Sequence, residues 1–368
     1  MPHGVLIRRG LWLLAVVSLS FGVWRSSQPE ALVDFHRVVD WTAALTSGVS
    51  PYQGESDTDY PPWALVTFAP LASVPAQYRA PVWISINIVL ALGIVWLLVN
   101  AVPAARDVQL TLASLLLSTA PFRVLGQFSI VSFALALAGA RHRSPVIGGL
   151  LMGLALMKPQ VGGVLVVAHL LMRDWTRAGM ALSVPVVLLG IASVFLSMSP
   201  VQLLADYSTV LGSVHGGDGV ASGHTELEPW LAPMLPGVTS VVGSAVLGVL
   251  LLLPAVAGVV RVGDRWTARW QLELYALCGV ASLLATRHLS YDLLLILPLV
   301  VAWWPTPRIA WLVTSALLVI QLPGWWRRVF EPMAWPDVFG VILEVDRGLC
   351  LVLLGLLVWR FMRLDVTK

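Results

Sequence analysis

Apolar runs close to membrane-spanning length recur from one end of this chain to the other, and no other feature constrains its fold as strongly. The hydrocarbon layer of a bilayer is about 30 Å thick and takes roughly 20 residues of helix to cross. Inside it every backbone N–H and C=O has to be satisfied, which leaves helices or a closed barrel. These runs are continuous rather than alternating, so a barrel is excluded. A chain that is 58% hydrophobic, with a mean hydropathy of +0.83, carries more apolar surface than a soluble domain can hide. The expectation is an all-α polytopic membrane protein, one membrane-embedded domain over residues 1–368.

The net charge of +3 does not point to nucleic acid. Lys and Arg fall in twos and threes between apolar runs, as topology signals do, rather than along a stripe that could follow phosphates. Cys278 and Cys350 lie inside apolar runs without ligand spacing and read as packing residues. Arg8 and Arg9 precede a run from Leu11 to Trp24, which is expected to be an uncleaved first helix rather than a removed signal.

With Arg8 and Arg9 on the cytoplasmic side, that helix delivers a first outer loop, 26–61. The next apolar piece, 62–75, is about 14 residues long and contains Pro70, so it is short for a span and is expected to be re-entrant or interfacial. Helices follow near Val82–Val102, Val108–Pro121, Gln127–Ala140, Pro145–Met157, Gln160–Met172 and Ala178–Ser197. After a second outer loop, 199–236, come Val238–Val260, Trp270–Ala285, Ser290–Trp304 and Ile309–Leu322, then a third outer loop, 323–338, and Phe339–Phe361. If the short piece does not cross, Arg141, Arg143, Arg173, Arg177, Arg261, Arg265, Arg269, Arg308, Arg360 and Arg363 all fall inside. The total is about twelve spans with both termini cytoplasmic in the plasma membrane. Pro145–Met157 and Gln160–Met172 then form a short hairpin with Lys158 at its outer tip.

One stretch breaks the apolar pattern. Val33 to Pro62 gathers Asp34, Asp40, Glu55, Asp57 and Asp59 in a chain with only 12% charged residues. With Tyr52, Tyr60, Gln127, Lys158, Arg287, His288, Tyr291 and Asp292 it makes up the polar inventory of the outer side, drawn from four separate connections. A carboxylate partly withdrawn from water becomes a stronger base, and an ammonium at a helix junction can sit beside a phosphate.

The order Asp34-Phe35, Ala43-Ala44, Gly48, Pro51-Tyr52, Tyr60-Pro61-Pro62, Pro70-Leu71 and Pro75 resembles the opening of family-87 glycosyltransferases. These are polyprenol-phosphate-mannose-dependent enzymes of the membrane-embedded C-type superfamily. Gly126-Gln127, and Gly149 to Lys158-Pro159 followed by Arg173 and Trp175, are similar to the next two signatures. The resemblance implies a C-type glycosyltransferase fold and an inverting transfer on the outer face. A sugar, expected to be mannose, would move from a polyprenyl phosphate to a glycolipid or polysaccharide acceptor.

Such a reaction needs a base for the acceptor hydroxyl and cations or donors for the leaving phosphate. By resemblance Asp34 is the base. Lys158, Arg287, His288, Tyr60 and Gln127 are candidates for the donor phosphate or sugar, and Asp40 and Tyr52 for the acceptor. The segment from Thr286 to Asp292 departs from the serine-proline and paired-histidine form seen in some members. No metal and no cofactor are expected, since His215, Asp218, His224 and Glu226 match no ligand spacing on rigid elements. Each residue also has a plain reading: Asp34 as a helix cap, Lys158 snorkelling, Gln127 satisfying backbone, Tyr52 in an aromatic belt. A flippase or transporter of lipid-linked sugar is the alternative activity, but it would be expected to show a second copy of the Asp34 to Pro62 pattern, and none is present. A non-catalytic assembly partner for envelope synthesis is a third.

Overall fold

The computed structural model describes residues 32–53, 58–102, 106–118, 127–216, 240–263, 266–286, 290–303 and 337–362, with scattered single positions before residue 25. Among them are helices and no strand. In chain order the helices are α1 Val33–Thr46, α2 Pro62–Ala72, α3 Ala76–Val99, α4 Arg106–Ser118, α5 Ser129–Arg141, α6 Pro145–Ala155 and α7 Pro159–Leu171. They continue with α8 Trp175–Leu196, α9 Pro200–Gly216, α10 Ser240–Val262, α11 Ala268–Ala285, a 3₁₀ segment Ser290–Ile296, α12 Leu297–Trp303 and α13 Asp337–Met362.

By length and hydropathy α3 and α8 can each cross a membrane. Both leave large apolar side chains exposed, Val89, Leu92 and Trp96 on α3 and Val186, Val187 and Val194 on α8. The expected first helix apart from the scattered positions before residue 25, the expected span Ile309–Leu322, and the loop 323–338 apart from the first residues of α13 lie outside the described residues.

Two segments expected as outer loops contain helices. Within 26–61, α1 places Phe35, Val38, Val39, Thr42 and Leu45 on one buried face, at the spacing of a helix that packs on a core. His36, Arg37 and Asp40 hold the other face in the open, which is why the stretch reads as polar in sequence. Within 199–236, α9 packs through Leu203, Tyr207 and Val210. The piece 62–75 forms α2, whose 11 residues span about 16 Å.

Helices α6 and α7 form the expected hairpin around Lys158. The far end of α7 comes back to the start of α6, where Arg177 Nη2 donates to His142 O at 2.9 Å and Arg177 Nη1 lies 3.4 Å from His169 Nδ1. Carbonyls at the tip also accept from side chains of surrounding helices. Ser132 Oγ donates to Ala155 O at 2.7 Å, Trp63 Nε1 to Leu156 O at 2.8 Å and Ser282 Oγ to Gln160 O at 2.9 Å. Such partners are required where helix ends are shielded from water. They tie the tip to α2, α5 and α11.

Helix α6 can approach α8 closely because it carries Gly149 and Gly153, a small residue on each of two successive turns, facing α8. A Cβ at Gly153 would stand 2.5 Å from Val184 Cβ and 2.7 Å from Ala181 O; one at Gly149 would stand 2.5 Å from Met180 Cβ. Replacing Gly153 by Val is expected to force α6 from α8 and cost about 1–3 kcal/mol. The loss would be read as a lower thermal midpoint in detergent, followed by intrinsic tryptophan fluorescence; an unchanged midpoint would show that α8 yields without cost.

Cations gather at the bundle end away from Lys158. Glu273 on α11 is fully buried between Arg360 of α13, 2.8 Å away, and Arg269, 3.2 Å away. Asp174 accepts from Arg177 Nη1 at 2.7 Å, and Arg141, Arg143 and Arg173 are exposed nearby in sequence. The end with Lys158 has the carboxylates Asp34 and Asp292.

Candidate active site

The sequence Gln127-Phe128-Ser129 sets up the site. Phe128 is fully buried and serves as an aromatic hub, with ring centroids 4.0 Å from Phe68, 4.4 Å from Trp83 and 5.6 Å from Tyr60. Trp83 stacks in turn on Phe35 at 4.9 Å, and Phe35 follows Asp34. Burying these rings is strongly favourable. It fixes the residues on either side of them.

The polar cluster that results runs across the structure in one chain of contacts. Gln127 donates its side-chain N–H to Asp34 Oδ2. On its other side Gln127 Oε1 accepts from Lys158 Nζ at 3.4 Å. Lys158 Nζ also donates to Ser129 Oγ at 2.7 Å and to Asp292 Oδ1 at 3.0 Å, and Ser129 Oγ donates to the same Asp292 oxygen at 2.6 Å. The Lys158 and Asp292 side chains are 6% and 2% exposed, so this is a buried ion pair. Asp34 is half-buried, at the rim of the cluster, in the first turn of α1.

Position follows from local structure in each case. Lys158 is the residue before α7, with Pro159 at the first helical position, so its ammonium lies at the positive end of that helix. Asp292 lies near the start of the 3₁₀ segment. Asp34 benefits from the N-terminal end of α1.

Tyr60 closes the cluster from the side of the first connection. Its hydroxyl is buried with no hydrogen-bond partner among the described residues. Burial pushes it well above its ordinary value of 10, and the charges of Asp59, Asp34 and Asp292 push the same way, opposed by the backbone at Phe128. It is therefore a neutral O–H donor at any physiological pH, within electrostatic reach of both carboxylates.

The connection itself is tied down by its own residues and by Tyr207 of α9. Tyr52 OH donates to Tyr60 O at 2.9 Å, Thr58 Oγ1 to Pro51 O at 2.8 Å and Tyr207 OH to Asp59 O at 3.4 Å. Tyr52 is 4% exposed, packed edge-on against Tyr207. Its polar atom is engaged in holding the loop rather than presented outward. Asp40 is exposed on α1, six residues beyond Asp34 and about 120° around the helix from it. The structure does not bring it to the cluster.

Of the candidates read from the sequence, Asp34, Tyr60, Gln127 and Lys158 meet; the Tyr52 hydroxyl is bonded within the first connection, and Asp40 stands exposed on α1 away from them. Arg287 and His288 lie outside the described residues, as do Asp218, His224 and Glu226. Two members of the cluster had no role from sequence reasoning. Asp292 stood in the outward-facing inventory, in a polar segment after a helix break; Ser129 carried no signal beyond its place at the start of an apolar helix. Among the described residues no three His, Cys, Asp or Glu side chains come together.

The arrangement can take a proton at its rim and meet an anion behind it. Asp34 can accept the proton, while Lys158 and the Tyr60 hydroxyl can donate to an oxyanion. Comparison with known families gives a match to the model of glycosyltransferase family 87 over residues 58–286. The match takes in Tyr60, Gln127, Ser129 and Lys158; Asp34 and Asp292 fall on either side of it. No curated protein matches the chain.

Proposed function

The chain belongs to glycosyltransferase family 87, a membrane glycosyltransferase by its apolar helices, and from that premise we propose that it is inverting and uses a polyprenyl-phosphate-linked sugar. Mannose is the proposed sugar, and a glycolipid or polysaccharide of the envelope the proposed acceptor. The observation that carries this reading is the chain Asp34, Gln127, Lys158, Asp292, in which a half-buried carboxylate and a buried ammonium are separated by one side-chain amide.

An inverting displacement needs that separation. The acceptor oxygen attacks the anomeric carbon from one face while the phosphate leaves from the other, so base and phosphate-binding cation must stand apart with the sugar between them. Asp34 takes the acceptor's hydroxyl proton as the new C–O bond forms. The bond from the anomeric carbon to the phosphate oxygen breaks, and polyprenyl phosphate departs with one more negative charge than it had as a diester. Lys158 and the Tyr60 hydroxyl meet that charge in a site shielded from water, where such contacts count most. Gln127 spans the gap in the absence of substrate, and the sugar-phosphate junction takes its place when donor binds. No metal ion is needed for these steps.

Helices α5, α6 and α7 are 13, 11 and 13 residues long, about 17–20 Å each, and all end at the cluster. If their cation-rich ends lie at the cytoplasmic face, the cluster sits beneath the outer headgroups. A phosphate on a polyprenyl chain reaches that depth from the outer leaflet. The same reading keeps about twelve spans with the C-type fold and both termini cytoplasmic.

The test is transfer of label from radiolabelled polyprenyl phosphate mannose in membranes carrying the protein, against membranes without it. Label in a new glycolipid or polymer is the expected result. Label that stays on polyprenyl phosphate, while a glucosyl or pentosyl donor is consumed, would replace mannose. Movement of the intact donor between leaflets, with no glycosidic product from any donor, would replace the transferase by a flippase.

A further inference from the structure

The Lys158 ammonium is already surrounded. Three protein oxygens lie within 3.4 Å of Nζ, on Gln127, Ser129 and Asp292, and one belongs to a buried carboxylate. An anion that binds this lysine does not fill an empty coordination; it displaces a partner. The contact with Gln127 is the longest and leads toward Asp34, so it is the one that yields.

Asp292 is held differently. Ser129 Oγ joins it to Lys158, donating to Asp292 and accepting from the ammonium, and all three side chains are buried. We propose that Asp292 is a positioning residue that acts through Lys158: it keeps hold of the ammonium while polyprenyl phosphate is bound, aims it through Ser129, and limits the affinity for that phosphate so that the product can leave. This rests on the reading of Lys158 as the phosphate contact.

The physical case is one of shared charge. A lone ammonium in a buried site would bind a phosphate tightly, because the anion would relieve an unpaired charge. With Asp292 3.0 Å away the charge is already met, and the phosphate gains only the difference between a shared and an unshared cation. Catalysis favours the shared arrangement, since a phosphate gripped equally before and after the bond breaks gains nothing in rate and leaves slowly.

The experiment is binding of farnesyl phosphate, a short polyprenyl phosphate, to the purified full chain in detergent, by isothermal titration. The proteins compared are the wild type, Asp292→Asn, Asp292→Glu, Lys158→Met and the double variant Lys158→Met with Asp292→Asn. Asp292→Asn is expected to bind about tenfold tighter, the scale of one lost hydrogen bond to a charged group. Asp292→Glu should return the affinity toward the wild type. In the Lys158→Met background the same Asn substitution should change little. A carboxylate that merely repels the phosphate through space would give the gain in both backgrounds, and that result overturns the proposal.

Ser129→Ala leaves both charges in place and only loosens their link; it should tighten binding by a smaller factor, and it serves if Asp292→Asn folds poorly. Equal affinity in wild type, Asp292→Asn and Ser129→Ala sinks the role of Asp292 alone, provided that Lys158→Met binds weakly. Unchanged binding by Lys158→Met sinks the phosphate contact and the proposal together.

Discussion

Asp34→Asn is expected to lower sugar transfer by about 10²–10⁴-fold, the range that a general base contributes, while leaving the protein as abundant in the membrane and as heat-resistant as the wild type. The substitution preserves shape and removes only the capacity to take a proton. It also keeps an acceptor oxygen for the N–H of Gln127, so the chain of contacts to Lys158 survives. Binding of farnesyl phosphate should be unaffected, because Asp34 is not in contact with Lys158. Initial rates of transfer from labelled donor, with titration of the phosphate beside them, separate the two effects. Equal rates in both proteins would remove Asp34 from the chemistry and leave Asp292 as the carboxylate to examine.

Lys158→Met should fail in two ways that can be separated. Transfer is expected to fall by about 10²–10³-fold, as when one donor to a developing oxyanion is lost. Stability should fall as well, since Asp292 is 1% exposed and would lose its ammonium partner. Breaking a buried pair from one side costs about 3–5 kcal/mol. Adding Asp292→Asn removes the second charge, and the thermal midpoint in detergent should recover while transfer does not. A double variant that regained transfer would show that the pair serves structure only. One that stayed as unstable as Lys158→Met would place the loss in packing around the hairpin tip.

Hydropathy and charge spacing carried much of the architecture. Continuous apolar runs leave helices as the solution in lipid, and the described residues are helical wherever those runs were read. The hairpin at Lys158 was legible from charge: by length the two runs of about 13 residues could be one helix kinked at Pro159, but that would break the alternation of cations between the two sides. Helix α1 was less legible. Its apolar residues recur at helical spacing, but Asp34, His36, Arg37 and Asp40 occupy the intervening positions, and the cluster of acids drew the reading to a loop.

For the site, the residue types were legible and the pairings were not. Asp34, Tyr60, Gln127 and Lys158 stood out because a polar group near or within an apolar run needs a reason. The sequence alone determined a helical membrane chain with a short hairpin, cations set between the runs and polar groups gathered at a few connections. Local period and hydropathy suffice for that, because each concerns residues close together in the chain. The tertiary structure decided that Lys158 faces Asp292, 134 residues away, that Ser129 joins them, that the Tyr52 hydroxyl is bonded to the backbone at Tyr60, and that Asp40 stands on the exposed face of α1. Contacts at that separation depend on which helix faces meet in the bundle. That is fixed by the fit of Gly149 and Gly153 against α8 and of Phe128 among its neighbouring rings, terms spread over the whole assembly and written in no single stretch of chain.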